Sequence, residues 1–166
     1  GTGKVTLSGH RNDEFSGNIN INNGTVSFEK TNENLFIDST AVVTSNGANS
    51  KFEYTNSTSD TFDGNFAKVV LDNGGTVSIS GGGSATTHNL SDGWLTSNGN
   101  SANNIIFNSA NYILNTRYNR ENINDNIIFN SSNLTLGFNN TPDIDSNPSD
   151  YDLKGNNYTF NNSVLD

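Results

Sequence analysis

The sequence predicts an all-β fold, a right-handed parallel β-helix that forms a solenoid of about eight to nine coils. Three observations support this prediction. An apolar residue followed by a small polar residue returns about every seventeen positions, and short segments alternate between apolar and polar residues. In addition, an eight-residue phrase is duplicated, as NIIFNSAN at 104–111 and NIIFNSSN at 126–133. A period near twenty residues with insertions of variable length is typical of a solenoid.

The repeated apolar position defines the predicted coils. It is occupied by Leu7, Ile21, Ile37, Tyr54, Leu71, Leu90, Phe107, Phe129 and Phe160, in steps of 14 to 31 residues. Each of them is followed by Ser, Thr, Asn or Asp, which are common in turns. The unequal steps favour a right-handed helix, whose corners accept insertions. A left-handed helix would show a strict six-residue period, which this sequence lacks.

Strands are predicted where apolar and polar residues alternate, because successive side chains of a strand point to opposite faces. The clearest such segments are 4–7, 18–21, 25–28 and 76–79. Corners are predicted at Asn23-Gly24, Asn46-Gly47, Asn73-Gly74, Asp92-Gly93 and Asn98-Gly99, since these residue types adopt positive φ at low cost.

The duplicated phrase predicts how neighbouring coils stack. If its 22-residue offset is one coil, Ile106 lies over Ile128 on one face of the sheet, and Phe107 lies over Phe129 on the other. Asn108 then lies over Asn130. Stacked aromatic rings and Asn ladders would satisfy both packing and side-chain hydrogen bonding.

Composition limits the kind of protein and its compartment. Hydrophobic residues make up 31% of the chain, below the roughly 45–50% of a globular domain, and a thin solenoid needs fewer of them. The net charge of −9 argues against nucleic acid or an anionic membrane surface as a partner. No apolar run approaches the ~18 residues of a membrane span, so we expect no membrane insertion of this segment. The absence of Cys excludes disulfides and thiol chemistry, and it fits an exported protein.

We expect residues 1–166 to form one β-helix segment, with loop insertions near 115–126 and 140–155. The chain begins at Gly1 without Met, which we interpret as a processed product or an excised segment. It starts directly in a predicted strand and stops soon after another, and neither end shows a clear capping element. Uncapped coil ends favour a homo-oligomer formed by end-to-end stacking.

The first part of the chain resembles the passenger-associated repeat of bacterial autotransporters. The resemblance rests on residues 1–9 (GTGKVTLSG) and 15–28 (FSGNININNGTVSF), with a fainter echo at 73–79 (NGGTVSI). The pattern is glycine-x-glycine, an alternating strand, serine-glycine, an aromatic residue, a second strand and asparagine-glycine-threonine. The link at 11–14 (RNDE) is longer and more charged than is usual in that family. Beyond residue 28 the chain resembles passenger β-helices in period and composition alone.

The resemblance implies an extracellular protein displayed at, or released from, a bacterial cell surface. Passengers of this family act as adhesins or as stalks that carry a separate head. The implied partners are a host surface, a neighbouring cell or a carbohydrate. The repeat itself is linked to export and folding of the rod rather than to catalysis.

The acidic segment 140–154 is the candidate metal site. Asp143, Asp145, Asn147, Asp150 and Asp152 supply oxygen donors, and calcium takes six to eight of these. Pro148 replaces the glycine of an EF-hand loop, and Lys154 stands where a bidentate Glu belongs, so an EF-hand is excluded. Two interpretations remain, a looser calcium site and a solvated insertion between the last two coils. The sequence indicates no cofactor other than calcium.

The segment 115–126 is the candidate binding loop. Arg117, Tyr118 and Arg120 combine two cations with an aromatic ring, a set that suits contact with a sugar or a carboxylate. The alternative is a hydrophilic loop with a local pair between Arg120 and Glu121. No catalytic residues are assigned, because the carboxylates form no cluster in sequence and both His stand alone.

Three functions remain open at this point. The first is a structural or adhesive stalk. The second is a self-assembling extracellular filament or surface-layer subunit, in a version that depends on calcium or in one that does not. The third is a carbohydrate-active enzyme, which is the least supported because a fold alone does not establish an activity.

Overall fold

The computed structural model describes residues 2–9, 17–30, 41–56, 68–81, 87–90, 95–98, 101–114, 125–136 and 157–165. Within these ranges the chain forms β-strands and no helix. The strands are β1 (Lys4–Gly9), β2 (Ile19–Ile21), β3 (Gly24–Lys30), β4 (Val42–Asn46), β5 (Ser50–Asn56), β6 (Lys68–Asp72), β7 (Thr76–Gly81), β8 (Thr87–Leu90), β9 (Leu95–Ser97), β10 (Asn104–Asn108), β11 (Asn111–Leu114), β12 (Asn126–Asn130), β13 (Asn133–Leu136), β14 (Asn157–Asn161) and β15 (Val164–Leu165).

These strands form three sheets, and every pairing between them is parallel. Sheet 1 has seven strands in the order β1-β3-β5-β7-β10-β12-β14. Sheet 2 has the order β2-β4-β6-β9, and sheet 3 has the order β15-β13-β11-β8. The chain therefore visits sheet 1 once per turn and stacks each new strand beside the previous one. The predicted all-β fold with parallel strands in stacked sheets is confirmed.

The register of sheet 1 gives the length of each turn. The position of Lys4 recurs at Thr25, Lys51, Thr76, Asn104, Asn126 and Asn157, in steps of 21, 26, 25, 28, 22 and 31 residues. Seven strands at the usual spacing of ~4.8 Å make this sheet about 29 Å tall. The offset of 22 between the duplicated phrases is one turn, as predicted.

The seventeen-residue spacing is not the repeat of the sheet. Leu7, Tyr54 and Phe107 share one register position of sheet 1, whereas Ile21 and Leu71 lie in sheet 2. Strands of both sheets alternate in the same way and are followed by the same small polar residues. The spacing therefore mixes positions from different faces of the solenoid.

The corners between sheet 2 and sheet 1 use the residues predicted for them. Gly24, Gly47 and Gly74 have φ values of 90°, 99° and 90°, and Asn73 has a φ of 51°. The corners between sheet 1 and sheet 3 use a different solution, with Ser109 and Ser131 both at a φ of 50° and Asn162 at 49°. Serine at positive φ carries a steric cost, so these corners depend on hydrogen bonds from the surrounding turns.

The core consists of inward-facing columns that run along the stack. One column of sheet 1 contains Phe28, Tyr54, Ile79, Phe107 and Phe129, and the next contains Phe52, Val77, Ile105 and Ile127, all buried. The rings of Phe107 and Phe129 are parallel at 4.9 Å, and those of Phe129 and Phe160 at 5.0 Å. Full burial of such side chains stabilises the fold by about 1.5–3 kcal/mol each. The predicted stack of Phe107 on Phe129 is confirmed.

Candidate functional surface

The outer face of sheet 1 is the most regular surface among the described residues. Three positions of each strand face outward, in register with Lys4, Thr6 and Ser8. They divide this face into two parts of different chemistry. The charged part, on β1, β3 and β5, consists of Lys4, Thr6, Ser8, Thr25, Ser27, Glu29, Lys51, Glu53 and Thr55. The amide part, on β10, β12 and β14, consists of Asn104, Ile106, Asn108, Asn126, Ile128, Asn130, Asn157, Thr159 and Asn161.

The amide part is built from two asparagine ladders. In the first ladder Asn126 Nδ2 donates to Asn104 Oδ1, and Asn157 Nδ2 donates to Asn126 Oδ1, both at 3.0 Å. In the second, Asn130 Nδ2 donates to Asn108 Oδ1 at 2.9 Å and Asn161 Nδ2 donates to Asn130 Oδ1 at 2.8 Å.

Each ladder has a direction, because the amide of a later strand always donates to that of the earlier one. The predicted stacking of Asn108 under Asn130 is confirmed. A shorter ladder on sheet 3 joins Asn133 Nδ2 to Asn111 Oδ1 at 2.9 Å.

The charged part is a small network of ion pairs. Lys4 Nζ lies 2.9 Å from Glu53 Oε2 and 3.6 Å from Glu29 Oε1, and Lys51 Nζ lies 2.7 Å from Glu53 Oε1. Burial disfavours the charge of Glu53, but the hydrogen bonds from Lys51 and Lys4 outweigh this effect and hold its pKa below the ordinary value. The hydrogen bond to Glu53 raises the pKa of Lys4. This network links strands β1, β3 and β5.

A buried polar network lies at the corner that leads into sheet 1. The hydroxyls of Ser45 and Ser50 share a hydrogen bond of 2.8 Å, and Ser50 Oγ donates to the Gly47 carbonyl at 2.7 Å. Farther along the stack, Asn103 Oδ1 accepts from Gly74 N at 2.9 Å.

The amide nitrogen of Asn103 completes this arrangement. Asn103 Nδ2 donates to Ser97 Oγ at 2.7 Å and to Asn98 O at 3.0 Å. A side chain of one turn therefore caps the backbone of the turn before it.

Asp125 takes the equivalent place one turn later. Its Oδ1 accepts a hydrogen bond from Asn103 N at 3.1 Å, and its side chain is buried. Its Oδ2 is buried and has no hydrogen-bond partner among the residues that the structure describes. Where Asn103 carries its donating Nδ2, Asp125 carries a second oxygen, Oδ2. Burying an oxygen without a donor costs about 1–3 kcal/mol.

A buried tyrosine supports the corner between sheet 1 and sheet 3. Tyr112 Oη donates to the carbonyl of Asn108 at 2.8 Å or of Ile79 at 3.0 Å, and it accepts from Asn108 N at 3.1 Å. Its ring packs edge-on against Phe107 at 4.9 Å. Desolvation raises the pKa of this hydroxyl above its ordinary value, so it stays protonated and able to donate.

The candidate site residues of the two loops lie outside the described residues. This holds for Arg117, Tyr118 and Arg120 and for the calcium candidates Asp143, Asp145, Asn147, Asp150 and Asp152. Both sites therefore stay predictions. The last two positions of the 115–126 segment do fall within the described residues: Asp125 is buried and Asn126 begins β12.

The described residues hold no cluster of three or more His, Cys, Asp or Glu side chains that could bind a metal ion. Among the same residues, no helix is long and apolar enough to cross a membrane. The outer face of sheet 1 therefore presents amides, hydroxyls, ion pairs and the half-buried Ile106 and Ile128 over a continuous apolar core.

Comparison of the chain with protein-family models, curated proteins and solved structures finds no match. The autotransporter resemblance of residues 1–28 therefore stays a proposal that rests on the sequence pattern alone.

Sequence reasoning missed the buried polar residues Asn103 and Asp125. Both stand directly before the duplicated phrase, at the same 22-residue offset. Extending the comparison of the two phrases by one residue would have marked a repeated polar position. That repeated polar position would not have shown that the two side chains point inward, because Asn and Asp are also common in exposed turns.

Proposed function

We propose that this chain is a segment of an extracellular structural or adhesive stalk in an autotransporter-like bacterial surface protein. The observation that carries the proposal is the continuous seven-stranded parallel sheet, with a buried column of large side chains running through it. The described strands of each turn are hydrogen-bonded to those of the neighbouring turns, as in solenoids, where each repeat packs on its neighbours. The acidic, cysteine-free composition and the sequence pattern of residues 1–28 support an exported protein.

The handedness and the number of coils are part of this proposal. We propose a right-handed coil, because parallel strands joined through a crossover are right-handed in about 98% of known cases. We propose one coil for each strand of sheet 1, which makes seven in the described residues. This is fewer than the eight to nine that the seventeen-residue spacing predicts.

Surface display tests the stalk. The chain would be fused to an outer-membrane translocator in a Gram-negative host, with an epitope tag at its exposed end. We expect antibody to detect the tag on intact cells and added protease to leave the rod intact. A Phe107→Asp variant, which places a charge in the aromatic stack, serves as the unfolded control. Degradation of the parent chain as fast as this control would contradict a rigid stalk.

The two loops give the stalk its proposed contacts. Arg117, Tyr118 and Arg120 would bind a carbohydrate or carboxylate on a host or neighbouring cell, and an alanine variant at all three should reduce adhesion to cells or glycans. The second loop would hold calcium through its carboxylates, and calorimetric titration with calcium tests it. An Asp143→Asn, Asp145→Asn variant should lose the binding heat. Unchanged adhesion in the alanine variant would contradict the proposed carbohydrate site, and unchanged binding heat in the asparagine variant would contradict the proposed calcium site.

A second candidate function is a self-assembling extracellular filament. The observation that favours it is the position of the exposed large apolar residues of the described ranges, which all lie on the end strands β1, β14 and β15. Electron microscopy over a range of concentrations, with calcium and with chelator, tests this function. Particles that lengthen with concentration would support a filament, and rods of constant length would support the stalk.

A further inference from the structure

We propose that the last strand of sheet 1 in one copy of this chain pairs, parallel and in register, with the first strand of sheet 1 in a second copy. In this joint β14 lies under β1 of the next copy, with Asn157 below Lys4 and Phe160 below Leu7. The inference rests on the filament function above and names its partner, its contact strands and their register.

The distribution of exposed apolar surface identifies the two contact strands. On β1, Val5 is 57% exposed and Leu7 is 38% exposed. On β14, Tyr158 is 43% exposed and Phe160 is 40% exposed. Between these two strands, the same inward positions of sheet 1 are covered by the neighbouring turns.

The inward columns define the register of the joint. Val5 and Tyr158 belong to the column that contains Phe52 and Ile127, and Leu7 and Phe160 belong to the column that contains Phe129. A joint in register continues both columns from one copy into the next. A slip of one residue would turn every apolar side chain of β1 outward, which opposes any odd shift.

The direction of the asparagine ladders supplies a second, independent argument. In the two ladders of sheet 1, each amide before β14 accepts a hydrogen bond from the following strand, but at β14 no described residue donates to Oδ1 of Asn157 or Asn161. A strand that continues these ladders should therefore offer donors at these two exposed positions. In register, β1 offers the hydroxyl of Ser8, which can donate to Asn161, and the ammonium of Lys4, which has donors only. To reach Asn157, Lys4 would have to turn away from Glu53 and Glu29, with which it pairs in the single chain.

The charges of the contact strands are compatible with the joint. β14 and β15 carry no charged side chain, and the only one on β1 is that of Lys4. No like charges therefore meet between these strands. The net charge of −9 still makes whole copies repel one another, so association should strengthen as salt screens that repulsion.

Cysteine cross-linking tests the register, since the chain has no native cysteine. Thr6 and Thr159 are exposed, face outward and would be direct neighbours across the joint. Neighbouring strands are ~4.8 Å apart, which suits a disulfide. Within one copy these two positions are six strands apart, roughly 29 Å, so every disulfide must join two copies. On mild oxidation, the Thr6→Cys, Thr159→Cys variant should form a ladder of oligomers that a reductant reverses.

The matched control is the Thr6→Cys, Asn161→Cys variant, which is two residues out of register. Its Cα atoms would lie about 8 Å apart, beyond the reach of a disulfide, so on oxidation it should form no oligomers that survive in a non-reducing denaturing gel. Equal cross-linking of both variants, or preferential cross-linking of the control, would overturn the register while leaving the filament function intact.

Association itself is measured separately by sedimentation of the unmodified chain at rising concentration and salt. We expect the mean mass to rise, and a Leu7→Glu, Phe160→Glu variant to stay monomeric. An Asn20→Glu variant adds charge at an exposed position of β2 and should assemble normally. Circular dichroism checks that each variant is folded. A monomeric parent chain at every concentration would overturn both the joint and the filament function, leaving these edges to another occupant such as adjoining coils of a longer protein.

Discussion

Asp125 accepts a hydrogen bond from the backbone nitrogen of Asn103 through Oδ1, at 3.1 Å, while its buried Oδ2 has no partner in the described part of the chain. Asn103, one turn earlier, makes the same kind of contact to Gly74 N but fills the second place with a donating amide. The two residues thus perform one capping role with different chemistry. Both polar atoms of the Asn103 side chain are hydrogen-bonded, whereas Asp125 has a partner for one of its two oxygens.

Replacing Asp125 by Asn should therefore stabilise the fold. Oδ1 can still accept from Asn103, and a donating amide replaces the buried oxygen that lacks a donor, so we expect a gain of about 1–3 kcal/mol in the free energy of unfolding. Urea denaturation at neutral pH measures it. Asp72→Asn, at a partly exposed position on β6, is the control and should change little. A loss of stability in Asp125→Asn would mean that the carboxylate charge is compensated in the folded protein.

Tyr112→Phe should destabilise the corner between sheet 1 and sheet 3. The change leaves Asn108 N and the carbonyl of Asn108 without their buried hydroxyl partner, at a cost of about 1–3 kcal/mol. One turn later the equivalent hydrogen bond comes from a serine, because Ser132 Oγ donates to the carbonyl of Asn130 at 2.9 Å. The residue that matches Ser132 in the earlier turn is Ala110.

A double-mutant cycle separates this hydroxyl effect from packing. Ala110→Ser should recover part of the loss in the Tyr112→Phe background, because the new hydroxyl can reach the carbonyl of Asn108. In the parent chain the same change should destabilise, since Tyr112 already occupies that place. Equal effects of Ala110→Ser in both backgrounds would show that the hydroxyl of Tyr112 is not the deciding feature.

Gly75→Ala should be among the most damaging single changes in the described residues. A Cβ at this position would overlap the backbone carbonyl of Ser45 in the turn before, and backbone cannot move aside as a side chain can. We expect a loss of about 1–3 kcal/mol or more, measured by thermal or urea unfolding. Gly3→Ala is the matched control. A Cβ at Gly3 meets no atom within 4 Å, so that change should stay within about 0.5 kcal/mol. Equal stability of the two variants would contradict the close contact.

Glu53→Gln should lower stability at neutral pH, by less than Tyr112→Phe, because it removes the negative charge that pairs with both Lys4 and Lys51. The folded pKa of Glu53 lies below its ordinary value of 4.5, so its contribution is complete above that pH and is lost as the pH falls through the folded pKa. The difference between parent and variant should therefore shrink in acid and in high salt. Unfolding curves at several pH values test this, and a difference independent of pH would argue against an ion-pair origin.

The duplicated phrase shows how far sequence alone can reach. Two copies of NIIFN leave one register that stacks Phe107 on Phe129 and Asn108 under Asn130, and the structure has that register. Period-two alternation predicted the strands themselves, because each strand buries one face, and the solenoid repeat predicted that they stack in parallel. The glycine corners followed from φ values that few other residues adopt at low cost.

The tertiary structure alone decided which strand belongs to which face. Strands of sheets 1 and 2 alternate alike and end in the same small polar residues, so Tyr54 and Leu71 look equivalent in sequence yet lie on different sheets. It also decided that the side chains of Asn103 and Asp125 are buried. The physical reason is that alternation and turn chemistry are local, whereas register and burial depend on which turn lies above and which below.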